Sequence, residues 1–181
     1  MVSRLLERLA AALSDASIPY MLVGGQAVLL YGLPRLTDDV DVTLGIGPSR
    51  LPDLLEVVEK LGWDVLVAHP REFVRQTLVL PCRDPLTSVR VDFILSFTPY
   101  ERQALARAHQ VTIGQTELAF AALEDLIILK IVAGRPRDLE DVRGVLIKNP
   151  TADLAYVRKW LRQLELGASE PLLVRFDTLF G

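Results

Sequence analysis

The chain has 181 residues, half of them hydrophobic, and a formal net charge of −3. Domains of roughly 100–200 residues are common, so this length fits one domain, and the hydrophobic content is enough for a buried core rather than global disorder. The slight negative charge argues against a protein coated in nucleic acid, although it leaves room for a local basic groove.

Cysteine content and hydropathy narrow the class of protein further. Cys82 is the single cysteine, which excludes an intramolecular disulfide and a zinc site made of cysteines alone. The N-terminus does not resemble a signal peptide, and no apolar stretch is long enough to span a bilayer. We therefore expect a cytoplasmic protein that has no contact with membranes.

The first 60 residues alternate between helix and strand patterns. Apolar residues at helical spacing predict a helix over 3–16, and alternating residues predict a strand over 40–44. The other predicted elements are a buried strand over 20–23 that ends at Gly24-Gly25, a short helix over 26–31, and a helix from Pro48 to about Lys60 that stops at Gly62.

Three more strands are predicted at 64–68, 73–80 and 89–95, because prolines separate these β-rich runs. A helix over 99–108 follows, and then a hairpin around Gly114. Three or four helices follow from residue 123 onward.

The pattern as a whole predicts an α/β (α+β) fold with a mixed β-sheet. We expect a core over 1–120 flanked by helices, and a helical C-terminal extension over 121–181. Because no Ser/Gly-rich linker separates the two parts, we expect the extension to pack on the core as a single structural unit.

Two acids, Asp39 and Asp41, lie at the start of the strand predicted over 40–44. Side chains of Asp39 and Asp41 share a strand face and stand roughly 6–7 Å apart along it. Asp is depleted inside strands, and two close carboxylates repel each other unless a cation neutralises them. Carboxylates with few accompanying His or Cys suit Mg²⁺ or Mn²⁺, so we predict a metal site. The alternative is a solvated turn at the start of a strand.

Asp92 lies in a later apolar run and is the third candidate acid. By the alternation of strand side chains it shares a face with Arg90 and Ile94. Two interpretations are equally good: Asp92 completes the metal site and deprotonates an attacking hydroxyl, or it pairs with Arg90 or the backbone. Three acids near a glycine turn make metal-dependent phosphoryl or nucleotidyl transfer the leading hypothesis.

The glycine pair Gly24-Gly25 lies between a strand and a helix. Without side chains, the backbone N–H groups there can approach a phosphate, and a helix N-terminus favours an anion. Glycines in such turns often serve a steric purpose alone, and neither a Walker loop nor a GxGxxG fingerprint is present.

These motifs resemble the DNA polymerase beta-type nucleotidyltransferase superfamily, and within it minimal nucleotidyltransferases and the nucleotidyltransferase toxins of type IV abortive-infection systems. That branch has a glycine pair and an Arg-x-Thr-x-Asp-x-Asp stretch, which residues 35–41 fit. It also has a lysine on a following helix, which Lys130 fits. Its Arg-x-Lys-Asp-x-x-Asp segment matches residues 135–141, with Arg137 in place of the lysine. The likeness covers roughly residues 20–145.

The resemblance implies a site in two parts. Asp39, Asp41 and Asp92 would bind the metal, and together with Lys130 they would be the catalytic residues. The implied nucleotide-binding residues are Gly24, Gly25, Gln26, Arg35, Thr37, Arg135, Asp138 and Asp141. Many members have Gly-Ser at the glycine pair, so in this chain the backbone N–H groups and Gln26 would take over the contact with the terminal phosphate.

Lys130 is a lone cation in an apolar helix, and lysine is rarely fully buried unless it is paired. It would snorkel to solvent, form a salt bridge to Asp138 or Asp141, or contact the β or γ phosphate as pyrophosphate leaves. Asp138 and Asp141 lie on one helix face and would orient Lys130 or Arg135, or simply be acids favoured at a helix N-terminus.

The function expected from these residues is metal-dependent transfer of an NMP from an NTP to a hydroxyl acceptor, with Mg²⁺ or Mn²⁺ as cofactor. The acceptor would be an RNA 3′ end or a protein. By resemblance alone, the chain would be the toxin of a toxin–antitoxin pair, with a cognate antitoxin as partner. The alternatives are an antibiotic-type small-molecule nucleotidyltransferase and a non-catalytic nucleotide- or partner-binding module.

Overall fold

The computed structural model describes residues 2–34, 39–167 and 171–179. Within these ranges one mixed sheet has the strand order β3-β4-β5-β2-β1-β7-β6. Its strands are β1 (Tyr20–Val23), β2 (Asp39–Leu44), β3 (Asp64–Val65), β4 (Val79–Arg83), β5 (Arg90–Leu95), β6 (His109–Ile113) and β7 (Thr116–Phe120).

Two parallel pairings lie within a mostly antiparallel sheet. Strand β2 is parallel to β5 and antiparallel to β1, and β1 is parallel to β7. The remaining neighbours, β3–β4, β4–β5 and β6–β7, are antiparallel. The mixed sheet with its surrounding helices confirms the predicted α/β fold class.

Helices precede, interrupt and follow the strands. In the described residues they are α1 (Val2–Asp15), α2 (Gly24–Leu30), α3 (Leu51–Leu61), α4 (Pro70–Thr77), α5 (Pro99–Ala106), α6 (Leu123–Ala133), α7 (Pro136–Lys148), α8 (Leu154–Glu165) and α9 (Leu172–Asp177). A 3-10 turn, Pro48–Arg50, comes directly before α3.

The predicted helix over 3–16 is confirmed as α1. Leu5, Leu9 and Leu13 are buried, which is the apolar stripe that helical spacing requires. This stripe packs towards α3 and β7. Helix α3 ends where predicted, at Gly62, whose φ of 69° is the left-handed conformation favoured at helix ends.

The predicted strand over 73–80 is wrong. Residues Pro70–Thr77 form α4, and only Val79 and Leu80 of the predicted run belong to a strand. Pro70 lies in the first turn, where its fixed φ suits a helix, and Leu78 ends the helix in a left-handed conformation with φ of 58°. The β-rich composition of this run favours a strand, but Pro70 begins a helix here instead of only separating two strands.

Two other boundaries also differ from expectation. The strand predicted over 64–68 is confined to Asp64–Val65. Gly24 and Gly25 are the first two residues of α2, so the predicted glycine turn is the first turn of that helix rather than a separate loop before it.

Contacts along the chain define two compact units. The first consists of Met1–Gln26 and Leu36–Ala121, and the second of Ala27–Arg35 and Ala122–Gly181. The first unit holds the whole described sheet, and the second holds α6 to α9. That the helical extension packs on the core as a single structural unit stays a prediction.

Side-chain hydrogen bonds fix the helices of the second unit. Buried Asp125, in the first turn of α6, accepts a hydrogen bond from Tyr156 Oη at 3.0 Å. At the other end of α6, Arg175 Nη1 donates to the carbonyl oxygen of Ile131 at 2.7 Å. Asn149 Nδ2 donates to the Tyr31 carbonyl at 3.1 Å, which ties the end of α7 to segment 27–35.

Nowhere in the described ranges does a helix combine the length and the apolar character needed to cross a membrane.

Candidate active site

The parallel pairing of β2 with β5 places charged residues opposite one another. Asp41 lies opposite Asp92, and Asp39 lies opposite Arg90. Paired residues on neighbouring strands point to the same face of a sheet, as do residues two apart on one strand. The structure therefore puts the three predicted acids and Arg90 on one face, at the corners of a rectangle about 5 Å by 7 Å.

Arg90 is engaged with these acids. Its Nε donates to Asp92 Oδ1 at 2.8 Å, with the Asp92 side chain 18% exposed and the Arg90 side chain 50% exposed. The hydrogen bond to Asp92 raises the pKa of Arg90, and the nearby charges of Asp92, Asp39 and Asp41 raise it further, against the lowering effect of burial. Both interpretations of Asp92 therefore stand, since it pairs with Arg90 and also lies in register with Asp41.

The glycine turn lies directly beside the acids. Val23, the last residue of β1, is opposite Asp41, and Gly24 follows it. Gly24 has a φ of +61°, and a Cβ at this position would overlap the Oδ2 atom of Asp41. Only glycine leaves room for the Asp41 carboxylate at the start of α2, and Gly25 and Gln26 follow in the same turn.

A second charged group belongs to the helical unit. Lys130 Nζ lies 2.8 Å from Asp138 Oδ1 and 2.7 Å from Asp141 Oδ2. The Lys130 side chain is 6% exposed, so it does not snorkel to solvent. Of the alternatives for Lys130, the salt bridge is the one observed, and it involves both acids.

Arg135 extends this group towards the surface. Its Nε donates to Asp138 Oδ2 at 2.6 Å and its Nη2 to Asp138 Oδ1 at 3.3 Å, while its side chain is 75% exposed. Burial raises the pKa of Asp138, but the hydrogen bonds from Arg135 and Lys130 and their charges outweigh burial and bring the pKa below its ordinary value. Asp138 is thus ionised at neutral pH and holds both cations.

Two predicted nucleotide-binding residues, Arg35 and Thr37, lie outside the described residues. Arg90 is the member of the site that the sequence predicted only as a pairing partner of Asp92. Its position two residues before Asp92, on the same strand face, was the signal available. That it lies opposite Asp39 depends on the pairing of β2 with β5, which the sequence does not reveal.

The acids match a divalent cation in the chemistry of their side chains. Their oxygen ligands suit Mg²⁺ or Mn²⁺, and the space left by the missing Gly24 Cβ admits the Asp41 carboxylate at the edge of the glycine turn. Within the described ranges, however, no three acid, His or Cys side chains already converge on one metal position. The hydrogen bond from Arg90 engages one oxygen of Asp92.

Solved structures of known proteins share this fold. The solution structure of the antibiotic-resistance factor ANT(2'')-Ia is 18% identical, covering 92% of this chain and 94% of that one, with a TM-score of 0.62. Its crystal structure in complex with adenylyl-2"-tobramycin is also 18% identical, covering 91% and 98%, with a TM-score of 0.62. An antigenic nucleotidyltransferase-like protein from Paracoccidioides brasiliensis is 20% identical, covering 83% and 76%, with a TM-score of 0.55. At this identity the likeness shows the fold alone.

The sequence comparisons give the family. No curated protein matches the chain. The model of one family, described as "Nucleotidyltransferase of unknown function (DUF6036)", matches residues 2–170. Since this match spans nearly the whole sequence, the chain belongs to the DUF6036 family of nucleotidyltransferases.

Proposed function

We propose that this chain is a metal-dependent nucleotidyltransferase that moves an NMP from an NTP to a hydroxyl acceptor. The observation that supports the proposal most strongly is the register of Asp41 with Asp92, next to the Asp39 position and the glycine turn. Acids that share a sheet face beside backbone N–H groups are suited to holding a cation next to a phosphate.

Each acid has a role in this proposal. Asp39 and Asp41 hold Mg²⁺ or Mn²⁺, and Asp92 is the third carboxylate of the site. The bound cation supplies charge compensation at the reacting phosphorus. Asp92 takes the proton of the acceptor hydroxyl while the hydroxyl oxygen bonds to the α-phosphorus. The bond between the α-phosphorus and the departing pyrophosphate breaks in the same step.

The helical unit holds the second group of residues that the resemblance assigns to the nucleotide. The resemblance assigns Lys130 to the phosphates, but Lys130 is buried and bonded to two carboxylates. Arg135 is the exposed cation of the same group, and Asp138 holds its guanidinium by two hydrogen bonds. A guanidinium fixed in this way is preorganised for an anion, and we assign Lys130, Asp138 and Asp141 the role of positioning Arg135.

The transfer reaction is tested with four NTPs labelled at the α-phosphate and with Mg²⁺ or Mn²⁺. The acceptors are total RNA, a protein lysate and hydroxyl-bearing antibiotics. Wild-type protein should transfer label to one acceptor class. Asp39→Ala/Asp41→Ala should lose at least about 100-fold in rate, as is typical when charge stabilisation is removed. Glu59→Ala, an exposed acid of α3, is the matched control and should transfer normally.

The labelled acceptor separates the alternatives. Label in RNA or protein supports the function proposed from the resemblance, and growth arrest by wild type but not by Asp39→Ala/Asp41→Ala would support the toxin role. Label in an antibiotic alone supports the small-molecule alternative. Metal-dependent NTP binding without product from any acceptor would contradict the enzyme proposal and favour the non-catalytic module.

A further inference from the structure

We propose that Arg90 is a built-in counter-ion of the acid cluster, defined as Asp39, Asp41 and Asp92. The Arg90 guanidinium stays hydrogen-bonded to Asp92 until a divalent cation binds, and it thereby weakens cation binding. This inference rests on the proposed function because it concerns the same cation. It adds a residue that sets how much free Mg²⁺ or Mn²⁺ the protein needs.

The geometry places Arg90 where a cation must compete with it. Arg90 lies opposite Asp39 and two residues from Asp92 on the same sheet face. Its Nε is 2.8 Å from Asp92 Oδ1, so one oxygen of the third carboxylate is already engaged. Within the described ranges, the acids do not converge on one metal position.

Charge explains why the contact lowers cation affinity. The acid cluster carries three negative charges and Arg90 carries one positive charge, so their sum is minus two rather than minus three. Arg90 lies opposite Asp39 and is bonded to Asp92, so its charge acts within the acid cluster. A divalent cation entering the cluster is attracted less strongly and is repelled by the guanidinium.

Arg90 is nevertheless easy to displace. Its side chain is half exposed, and exposed ion pairs are weak because solvent screens them and ordering long side chains costs entropy. Its flexible stem lets the guanidinium swing into solvent while the backbone of β5 stays in place. The contact is therefore strong enough to hold Asp92 without a cation and weak enough to yield to one.

The chain offers a matched control for the charge itself. Arg83 of β4 lies directly opposite Arg90, on the same sheet face and one strand further from β2. It is exposed, and within the described part of the chain it has no ion pair with an acid. Removing Arg83 deletes the same charge from the same face without releasing Asp92.

Mn²⁺ binding to the intact 181-residue chain tests the inference without any reaction. We would titrate Mn²⁺ by electron paramagnetic resonance in the wild type and in Arg90→Gln, Arg90→Lys, Arg83→Gln and Asp39→Asn/Asp41→Asn. Removing a positive charge near the divalent cation should strengthen its binding, so we expect the dissociation constant of Arg90→Gln to be about tenfold lower than that of wild type at low salt. The dissociation constants of Arg90→Lys and Arg83→Gln should stay within about threefold of wild type. Arg90→Lys keeps the positive charge, and Arg83 lies further from the acids.

Thermal unfolding gives a second readout. Without cation, Arg90→Gln should unfold at a lower temperature than wild type because its three carboxylates repel one another. Saturating Mn²⁺ should raise the unfolding temperature of Arg90→Gln more than that of wild type, because a tighter ligand stabilises more.

The outcomes separate this inference from the proposed function. Binding that is lost in Asp39→Asn/Asp41→Asn but unchanged or weaker in Arg90→Gln overturns the counter-ion role and leaves the metal site intact. An equal gain in Arg83→Gln also overturns it, because general charge would then explain the effect. No Mn²⁺ binding in wild type, or binding insensitive to Asp39→Asn/Asp41→Asn, overturns both proposals.

Discussion

Gly24 combines a left-handed backbone conformation with a close approach to the Asp41 carboxylate. An L-residue in this conformation costs roughly 1–2 kcal/mol, and a methyl group here must also displace Asp41. We predict that Gly24→Ala is destabilised by about that amount and loses at least about tenfold of the proposed transfer rate, since it displaces a carboxylate that we propose holds the metal. Urea unfolding and the labelled-NTP assay measure the two effects.

Gly32→Ala is the control for this substitution. Gly32 has a φ of +87°, and nothing lies within 4 Å of an added Cβ. Gly32→Ala should lose stability because of its left-handed backbone but should keep the wild-type transfer rate. A Gly24→Ala protein that transfers as fast as wild type would disprove the role of this contact.

Lys130 is enclosed by two carboxylates and almost fully buried. Removing one partner of a buried ion pair typically costs about 3–5 kcal/mol, because the remaining charge is left uncompensated. We predict a loss of this size for Lys130→Met in urea unfolding. Lys159→Met, which removes an exposed lysine of α8, should change stability by less than about 0.5 kcal/mol. Normal stability of Lys130→Met would contradict the structural role.

Asp138 links stability to pH. Its pKa lies below the ordinary value in the folded protein, so its contribution is complete above the unfolded pKa of about 4 and is lost as pH falls towards the folded pKa. We predict that stability falls less steeply below pH 4 in Asp138→Asn than in wild type, as measured by urea unfolding at a series of pH values. The exposed Asp15→Asn should follow the wild-type curve, and identical curves for all three proteins would contradict the assignment.

Strand β4 carries the single cysteine in its buried centre. Burial, and to a smaller extent the charge of Asp92, raises the pKa of the Cys82 thiol to about 12. The thiolate is the reactive form, so the folded protein should react with a thiol reagent at pH 8 at least about 100-fold more slowly than the urea-unfolded chain. Rapid labelling of the folded protein would show that β4 does not protect Cys82. The measured rate reports the opening of this strand next to β5.

The strands that carry the acids were predictable, but their neighbours were not. Alternation along one strand gives the face shared by Asp39 and Asp41, because it depends only on local geometry. The pairing of Asp41 with Asp92 joins residues about 50 positions apart, and local sequence does not specify such a pairing. Helix α4 was missed for a local reason, since its start depends on the conformation of one proline.

Across the molecule, the predicted site residues divide between the two units. The acid cluster and the glycine pair belong to the first unit, and Lys130, Arg135, Asp138 and Asp141 belong to the second. The sequence predicted the acids from strand alternation and carboxylate chemistry, and the second group mainly through family resemblance; the match to a nucleotidyltransferase family agrees with the general part of that resemblance. The role of Arg90 needed the sheet register, which exists only in the folded chain.

The most direct test of the central claim is anomalous diffraction from a crystal grown with Mn²⁺ and an NTP analogue that cannot be cleaved at the α-phosphate. We expect a Mn²⁺ peak about 2.0–2.3 Å from carboxylate oxygens of Asp39 and Asp41, with Asp92 released by Arg90 and turned towards it. A nucleotide bound with its Mn²⁺ held elsewhere, or with Asp92 still bonded to Arg90 and away from the ion, would contradict it.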